Sequence, residues 1–373
     1  MRTAGPKLML IGGGHAHLGV LADWVRRGGP EARTTLISPH RYTRYSGMVP
    51  GTVAGEYDDE HGRIDLVALT RRAGVELILD RCAAIDPEQR TIATGNGRSV
   101  GFDICSIDVG GVGRAKAVLG MDPRIVDVRP IGSFLARLTE WQSITRDIPR
   151  HIVVAGGGAG GVELAFALRR RFAGGNARIT LVAGRAGLLD NLGRRTTVLA
   201  RRELARQDIL SIEEDARIEA GALTAGGRSI EPVDLIVASL GAAAPRWPKE
   251  SGLAVDNDGY IAVDRYQRSL SHPHILAAGD VAARQDRRVP RSGVHAVHTG
   301  PVLAANLRCL VAGKGGLRSY RPRPASLYLL STGSGKAIAS YGPFAVQGRW
   351  AAALKRWIDR RWVTSFAKPT DPV

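Results

Sequence analysis

The sequence has little cysteine, and its few cysteines form no pattern. Cys82, Cys105 and Cys309 are the only three among 373 residues, and no CxxC pair or Cys/His cluster occurs. A disulfide-stapled scaffold is therefore excluded and a zinc site is disfavoured, because both need paired or closely spaced ligands. Sparse cysteine is typical of a reducing compartment, so we predict a cytoplasmic protein.

Long hydrophobic runs are also missing. No stretch reaches the roughly 18 apolar residues that a membrane-spanning helix needs. The first residues, MRTAGPKLMLIGGGH, hold only a short apolar run and no cleavage-site pattern, so we interpret them as a first strand and not as a secretion signal. At roughly 150 residues per domain, the length predicts about two to three domains.

Acidic charge is in deficit, with 35 Asp and Glu against 52 Lys and Arg and a net charge of +17. Strong basicity indicates an anionic partner, and its distribution is more informative than its total. Residues 284–373 contain sixteen basic and three acidic residues, so this last part carries +13 and the remainder only +4. The pattern does not favour a nucleic-acid binder, whose basic residues would be spread over the body.

Two segments repeat the same order of a short apolar run, a glycine cluster, a helical pattern and a β-rich run. Their first glycines lie 144 residues apart. The first unit has KLMLI at 7–11, glycines at 12–14 and RTTLIS at 33–38; the second has HIVVA at 151–155, glycines at 156–158 and 160–161, and ARITLVA at 177–183. Each is the beginning of a βαβ unit. The sequence therefore predicts an α/β protein with two Rossmann-like dinucleotide-binding domains.

The second unit carries a complete GxGxxG pattern in Gly156, Gly158 and Gly161. The first glycine makes the tight turn, the second lets a pyrophosphate approach the backbone, and the third lets the helix pack on the strand. The diphosphate then binds at the helix N-terminus, where free N–H groups and the macrodipole favour negative charge. We therefore predict that this unit binds a dinucleotide.

The first unit and both ribose positions depart from the usual pattern. Gly12 and Gly14 are present, but His17 takes the place of the third glycine. The acid that commonly binds a ribose hydroxyl is replaced by Ser38 in the first unit and falls near Arg185 in the second. An arginine there suits a 2′-phosphate, and an ordinary solvated loop residue is the alternative, so the choice between NADH and NADPH stays open.

The two glycine units and the segment HILAAGDVAA at 274–283 together resemble the flavoprotein family with two dinucleotide-binding domains. The chain is more closely similar to type II NADH dehydrogenases and to the flavoprotein half that is fused to selenophosphate synthetases. The segments that carry the resemblance are GGGHAH, YSGMVPG at 45–51, GAAAPRW at 241–247 and the basic, tryptophan-rich end.

The resemblance implies FAD at the first unit and NAD(P)H at the second, with the nicotinamide against the flavin so that hydride passes directly between them. It implies that Asp280 contacts the ribityl or diphosphate region, that loop 45–51 lines the isoalloxazine, and that Glu163 lies near the nicotinamide. The alternative for Glu163 is a first-turn acid that complements the helix dipole. The cofactor-binding residues expected on these grounds are Gly12, Gly14, Ala16, His17, Ser38, Met48, Pro50, Cys82 through its backbone, Gly279, Asp280, Val294, Gly156, Gly158, Gly161 and Gly241.

Thiol and metal chemistry are disfavoured. Disulfide reductases and sulfide:quinone reductases of this fold need reactive cysteines in places that none of the three cysteines matches. Two short histidine pairs, His15-x-His17 and His272-x-His274, have no carboxylate or cysteine at ligand spacing, so no metal is expected.

The acceptor side departs from the type II enzymes. Their AQxAxQ motif aligns with GVHAVH at 293–298, in which Val294 and His298 replace the two glutamines. His295 and His298 are candidate catalytic residues beside Glu163, because imidazoles titrate near neutrality and can protonate a quinone oxygen. The alternative is that both histidines are structural residues at the start of a helix.

Residues 348–366, GRWAAALKRWIDRRWVTSF, predict a basic amphipathic helix that holds three of the six tryptophans. A cationic helix with aromatic residues on one face is typical of an interfacial membrane anchor. The alternative is a helix that packs on the domain or on a second subunit in a homodimer. The apolar stripe at helical spacing comprises Trp350, Leu354, Trp357, Ile358, Trp362 and Phe366.

Together these patterns predict an FAD-dependent oxidoreductase that passes hydride from NAD(P)H to flavin and electrons on to a quinone, either cytoplasmic or peripheral on the inner face of the membrane. The alternatives are a reductase of a protein or selenium-related acceptor, and a non-catalytic nucleotide- or nucleic-acid-binding protein. The predicted divisions are an FAD-binding domain at 1–125 and 251–320, an inserted NAD(P)H-binding domain at 126–250, and a C-terminal segment at 321–373.

Overall fold

The computed structural model describes residues 5–144, 150–174 and 177–367. The ends of the first and last predicted segments, residues 1–4 and 368–373, lie outside the described residues. The first part of the chain builds a parallel sheet, and a 3₁₀ turn at Ser46–Met48 precedes α2. Its elements are β1 (Lys7–Ile11), α1 (His15–Arg27), β2 (Arg33–Ser38), β3 (Tyr42–Arg44), α2 (Val49–Val53), β4 (Arg63–Asp65), α3 (Leu66–Arg72), β5 (Glu76–Leu79), β6 (Cys82–Asp86), β7 (Thr91–Thr94), β8 (Ser99–Gly101), β9 (Ile104–Ile107) and α4 (Ala115–Leu119).

The middle part of the chain repeats this order of elements around the second glycine cluster. Its elements are β10 (Ile125–Asp127), α5 (Ile131–Ile144), β11 (His151–Ala155), α6 (Ala159–Arg171), β12 (Arg178–Val182), α7 (Arg194–Arg206), β13 (Ile209–Ile212), β14 (Ala216–Glu219), β15 (Ala222–Ala225), β16 (Arg228–Ser229), β17 (Leu235–Ala238) and α8 (Trp247–Glu250).

The last part returns to the first sheet and then forms a hairpin sheet and a helix, with a 3₁₀ turn at Gly279–Val281. Its elements are β18 (Ile261–Val263), β19 (Ile275–Ala277), β20 (Ala282–Arg284), α9 (Gly293–Ala312), β21 (Leu327–Ser331), β22 (Ala337–Tyr341), β23 (Phe344–Gly348) and α10 (Arg349–Ala367).

The two large sheets have corresponding strand orders, β19-β9-β1-β2-β5 and β10-β17-β11-β12-β13, and all neighbouring strands are parallel. Strand β19 completes the first sheet only after every strand of the second has been formed, so the second unit interrupts the first. The predicted class, two Rossmann-like units with one inserted in the other and a small C-terminal segment, is confirmed. The numerical boundaries between them stay a prediction.

Alternating side chains on the central strands place the core on both faces of each sheet. In β1, Leu8 and Leu10 join the apolar cluster of α1, α3 and α9, whereas Met9 and Ile11 join that of the β6–β8 meander. Strand β11 repeats the alternation between α6 on one face and the β14–β15 hairpin on the other. Both units are therefore sandwiches of helix, parallel sheet and antiparallel sheet.

Helices α1 and α9 meet with backbone in contact. A Cβ atom on Gly300 would lie 2.8 Å from the carbonyl oxygen of Ala16 and 2.9 Å from Cα of Gly19, so only glycine fits there. This close approach fixes the start of α9 against the helix that follows the first glycine turn.

The C-terminal segment joins the two units. Its β21–β23 sheet packs on α6 and α7, where the hydroxyl oxygens of Thr196 and Ser340 lie 2.7 Å apart. Helix α10 then runs back to the first unit, where Phe366 is buried with the α1 and α3 core and accepts a hydrogen bond from Arg72 Nη1 at 2.7 Å. Within the described ranges, no helix is long and apolar enough to cross a membrane.

The α1–α9 contact predicts opposite results for two glycine-to-alanine substitutions in helices. Gly300→Ala should destabilise the protein by about 1–3 kcal/mol, because the added methyl group would press on backbone atoms. Gly132→Ala, in α5, meets no described atom within 4 Å and should be neutral or stabilise by up to about 1 kcal/mol. Urea-induced unfolding followed by circular dichroism measures both, and equal midpoints for the two variants would contradict the prediction.

Candidate functional site

The first glycine turn connects β1 to α1 and has no room for side chains. Gly12 has φ +92°, and a Cβ atom there would lie 2.4 Å from the carbonyl oxygen of Asp108. Gly14 is the N-cap of α1 in extended conformation and provides no side-chain cap. The buried backbone of Ala16 follows in the first turn of the helix. The turn thus places backbone N–H groups at a helix N-terminus, the arrangement that binds a diphosphate.

His17, at the third glycine position, is fully buried and ties the turn to β9. Its Nδ1 lies 2.6 Å from the carbonyl oxygen of Gly12, and its Nε2 lies 2.8 Å from Oγ of Ser106. Burial lowers the pKa of His17 to about 4. Both ring nitrogens are therefore occupied by protein partners, and the larger residue is accommodated by hydrogen bonds.

His15 leaves a polar atom unused beside the same turn. Its ring stacks on Trp362 of α10 with centroids 5.4 Å apart, and Tyr45 lies 4.2 Å from the same tryptophan ring. Nε2 of His15 is buried and has no hydrogen-bond partner in the part of the chain that the structure describes. Burial lowers the pKa of His15 to about 4, so the ring is neutral near pH 7. A neutral imidazole nitrogen at this place suits an oxygen of a bound cofactor.

The segment expected to close over the cofactor is held by an ion pair. Asp280, in the 3₁₀ turn after β19, accepts a hydrogen bond from Arg129 Nη2 at 2.9 Å. Arg129 follows β10, the edge strand of the second sheet, so the ion pair joins the two units. Gly279 has φ +70° and packs on Asp108, where a Cβ atom would lie 2.4 Å from Oδ1.

The remaining residues predicted for this cofactor lie around the same unit. Met48 and Pro50 are buried in the loop and short helix at 46–53, and Ser38 is buried at the end of β2, where its Oγ donates to the carbonyl oxygen of His40 at 3.2 Å. Cys82 begins β6, and burial raises the pKa of its thiol to about 12. A thiol with that pKa stays protonated, which leaves its backbone as the group available to a ligand.

These observations fit FAD. The glycine turn has space for no Cβ atom, backbone N–H groups lie at the helix start, and the orphaned nitrogen of His15 and the Asp280–Arg129 pair supply polar groups near each other. The residues that would hold the cofactor are those of the turn, His15, Asp280 and the loop at 45–51.

The second glycine turn has more open space. A Cβ atom on Gly156 would lie 2.1 Å from the carbonyl oxygen of Ser239, and one on Gly161 would lie 1.9 Å from that of Gly156, so both require glycine. No described atom lies within 4 Å of the Cβ position of Gly158. Gly241, with φ +77°, follows β17 in the chain segment in which Ala243 pairs with Val112. The open position at Gly158 is where a pyrophosphate can approach.

The rim at the end of β12 is acidic. Arg185 is largely exposed, its Nε donates to Glu214 at 3.0 Å, and its backbone N–H donates to Asp215 at 3.1 Å. Glu213 forms an ion pair with Arg201 at 2.5 Å. Arg185 thus forms an exposed ion pair with Glu214 beside Asp215.

Glu163 is buried in an ionic cluster between three parts of the chain. Its Oε1 accepts the backbone N–H of Ser331 at 2.8 Å and lies 3.5 Å from Nζ of Lys355 on α10. The same ammonium group lies 3.6 Å from Asp359, which interacts with the half-buried Tyr45. Glu163 is therefore a member of a buried ion pair as well as a residue of α6, the helix that follows the second glycine turn.

The cluster is shaped by burial and by opposite charges. Burial raises the pKa of Glu163, and it raises that of Asp359 to about 6, while Lys355 opposes both shifts. Burial alone would lower the pKa of Lys355, but the two carboxylates raise it above its ordinary value. Lys355 therefore stays charged, and the two acids share its charge.

His295 and His298 lie elsewhere, at the start of α9. Nδ1 of His295 lies 2.8 Å from the hydroxyl oxygen of Tyr320, and both histidines line a cavity of about 200 Å³ with Arg321 and Arg323. Burial lowers the pKa of both histidines, and the charge of Arg323 lowers that of His298 further. His295 also lines the cavity that contains Gly279, whereas Glu163 belongs to the separate cluster at α10. Val294 directly precedes His295 and is half-buried.

The second short histidine pair, His272 and His274, has protein partners. Nε2 of His272 lies 3.0 Å from Glu88, and Nε2 of His274 lies 3.2 Å from the carbonyl oxygen of Pro87. Among the described residues, no group of three or more histidine, cysteine, aspartate or glutamate residues could hold a metal ion, and the three cysteines are free thiols.

Duplicated sandwiches with a glycine turn in each define a flavoprotein with two dinucleotide-binding domains, and comparison with known proteins agrees. Residues 6–300 match the family model described as pyridine nucleotide-disulphide oxidoreductase. The chain belongs to this family, which confirms the resemblance seen in the sequence. The family uses FAD and NAD(P)H, so the two predicted cofactors are confirmed at that level.

Individual relatives are more distant. The chain is 26% identical over 239 residues to an NADH dehydrogenase-like protein of Mycobacterium tuberculosis, covering 59% of this chain and 58% of the relative. It therefore spans less than two thirds of that relative's length.

Two solved structures share the fold over most of the chain. NDH2 of Plasmodium falciparum in complex with NADH gives a TM-score of 0.82 at 14% identity and covers 98% of both chains. Sulfide:quinone oxidoreductase of Aquifex aeolicus gives 0.81 at 17% identity and covers 98% of this chain and 92% of that one. At such identities, both establish the architecture alone.

Sequence reasoning missed several residues of the site. The sequence places His15 only in a short histidine pair and Lys355 and Asp359 only in a basic amphipathic helix, and no pattern in it marks Arg129. Their partners are distant in sequence, so no local spacing identifies them. The one available signal is the reversal of charge at Asp359 within an otherwise basic helix.

The cluster predicts a pH-dependent loss of stability in Lys355→Met. Removing the ammonium group leaves two buried carboxylates unpaired, which should cost about 3 kcal/mol at pH 8. Without Lys355 the folded-state pKa values of Glu163 and Asp359 rise further above their unfolded values. The folded variant then binds more protons than its unfolded chain, and the deficit relative to wild type should shrink as pH falls from 8 to 5.

Urea unfolding of Lys355→Met and wild type across this pH range measures the effect. Lys336→Met removes an exposed lysine and serves as the matched control. A deficit that is constant with pH, or equal in the two variants, would show that the ion pairs do not have the proposed role.

Proposed function

We propose that the protein is an FAD-dependent oxidoreductase in which NAD(P)H reduces the flavin and a quinone reoxidises it. The observation that carries the proposal is the cluster around Glu163. It brings the helix of the second glycine turn, loop 45–51 of the first unit and helix α10 to one buried point. Two coenzymes held by the two turns would meet beside it.

The bound flavin would supply two-electron chemistry, accepting hydride and returning electrons. The protein's own residues would orient the two ligands and exclude water. Glu163, already paired with Lys355 and the Ser331 amide, would act as a fixed wall of the nicotinamide site. His295, hydrogen-bonded to Tyr320, would deliver a proton to a reduced acceptor from the cavity at α9, with His298 beside it.

The acidic rim at β12 supports NADH as the preferred donor. Arg185 is paired with Glu214, and Glu213 and Asp215 lie next to it at the edge where the ribose would bind. A 2′-phosphate would meet this negative charge, whereas a ribose hydroxyl can donate to a carboxylate. We therefore propose that NADPH reacts more slowly.

A second candidate acceptor is a polar or anionic molecule. The cavity of about 200 Å³ at α9, which His295 lines, also has Arg321 and Arg323 in its wall and no acidic residue. Cationic walls favour a ligand that carries negative charge. This lining supports the alternative function, reduction of an acceptor that is not a quinone, over reduction of a purely lipophilic quinone.

Anaerobic mixing of the purified flavoprotein with NADH or NADPH tests the function. We expect NADH to bleach the flavin absorbance at least tenfold faster than NADPH, and a neutral short-chain quinone to restore it. Failure to bind flavin, or no bleaching by either donor, would overturn the proposal. Reoxidation by a sulfonated quinone but not by the neutral one would favour the anionic acceptor. Arg185→Ala should leave the NADH rate unchanged and is the matched control for donor preference.

The exposed part of the C-terminal segment supports contact with a membrane surface. Trp362 and Phe366 of the predicted stripe point into the protein, whereas Trp350 and Trp357 are 55% and 58% exposed. Phe344 on β23 is 65% exposed, and Arg349 and Arg361 lie on exposed positions of α10. Exposed indole rings among basic residues suit the headgroup region of an anionic bilayer.

Vesicle binding tests this surface without disturbing the cluster. Trp350→Ser/Trp357→Ser should weaken binding to vesicles with anionic lipid by about tenfold or more, because two interfacial aromatic rings are lost. Met121→Ser/Leu210→Ser removes two equally exposed apolar side chains elsewhere and should bind as wild type does. Retention by duplex DNA but not by vesicles would favour nucleic acid, and loss of a dimer in the tryptophan variant, seen by light scattering, would favour a second copy of the chain.

A further inference from the structure

A carboxylate lies inside the first glycine turn. Asp108 follows β9 and is 2% exposed. Its Oδ2 accepts the backbone N–H of His17 at 2.9 Å, so the side chain occupies part of the N-terminus of α1. The helix start that would receive a diphosphate thus already contains an acid from the neighbouring strand.

Two segments that contain glycine close on this side chain, the first glycine turn and the 3₁₀ turn at Gly279–Val281. A Cβ atom on Gly14 would lie 2.4 Å from Cγ of Asp108, and one on Gly279 would lie 2.4 Å from its Oδ1. The carboxyl group is therefore enclosed between the two segments that would hold the diphosphate and the ribityl chain.

The second unit provides an internal comparison. Ser239 follows β17 as Asp108 follows β9, and each donates its backbone N–H to the last residue of the central strand at 2.8 Å. The N-cap glycines, Gly14 and Gly158, have the same φ of −71° and ψ of 175°. At matching positions of one fold, the first unit has an acid and the second a neutral hydroxyl. The fold itself therefore does not require the acid.

The charges around Asp108 favour its neutral form. Burial is the main cause that raises its pKa to about 7; the backbone N–H groups of His17 and Ala16 oppose the rise, and the carboxylate of Asp280, which is paired with Arg129, adds to it. His15 and His17, the titratable residues at the start of α1, have pKa values of about 4 and are uncharged above pH 6. The remaining charge that Asp108 would meet is that of a bound diphosphate, and a like charge raises the pKa of a carboxyl group.

We propose that Asp108 binds a proton when FAD binds, so that the affinity for FAD falls as the pH rises. The inference rests on the proposed function, since it places FAD at the first turn. The proton comes from solvent. The neutral carboxyl group donates its O–H to a phosphate oxygen, and its other oxygen continues to accept the N–H of His17. Asp108 is a positioning residue for the cofactor and takes no part in hydride transfer.

Calorimetric titration of flavin-free protein with FAD measures the coupling directly. At pH 8, in buffers of different ionisation enthalpy, wild type should take up close to one proton per FAD bound. The dissociation constant should rise on the order of tenfold between pH 7.0 and 8.5. FAD binding without proton uptake would overturn the inference alone, whereas no FAD binding at any pH would overturn the proposed function as well.

Three variants separate the role of the charge from that of the shape. Asp108→Asn and Asp108→Ser, the latter copying the second unit, should bind FAD with a dissociation constant that is flat over the same pH range. At pH 8.5 both should bind more tightly than wild type. Asp103→Asn, which changes an exposed acid before β9, should keep the wild-type slope. A wild-type slope in Asp108→Asn would overturn the inference even if that variant were less stable.

Discussion

The ammonium group of Lys355 lies between the carboxylates of Glu163 and Asp359, and the arrangement of the site depends on this contact. Buried charges are tolerated only when they are paired, so the three groups must arrive together. Glu163 comes from the second unit and Lys355 from the C-terminal helix, while Tyr45 of the first unit completes the cluster. The relative position of the two glycine turns is consequently tied to where α10 docks.

Much of the fold was visible in the sequence because its determinants are local. A glycine that must adopt positive φ, as Gly12 and Gly156 do, leaves a mark at one position, and a helix that packs by one face leaves a periodic pattern. The order of strands within each sheet follows from the parallel topology once two such units are recognised. Relationships that depend on a single distant partner, such as Arg129 with Asp280, leave no comparable mark.

The C-terminal helix illustrates the limit of pattern reasoning. Its apolar stripe predicts a single face, yet the structure divides that stripe between the interior and the solvent. Trp362 stacks on His15, whereas Trp350 and Trp357 are exposed although Ala351, Ala352 and Asp359 of the same helix are buried. A helical projection shows which side chains share a face, but the packing of the helix decides which side of that face is covered.

Helix α10 has a mechanical consequence. Nineteen residues form a rod of about 28 Å, and this rod touches the hairpin sheet at one end and the core of the first unit at the other. Any surface that receives Trp350 and Trp357 would fix the tilt of the rod, and with it the direction in which both coenzyme clefts face. Adsorption would then determine orientation as well as location, so that a ligand dissolved in the surface and one dissolved in water would approach from different, predetermined sides.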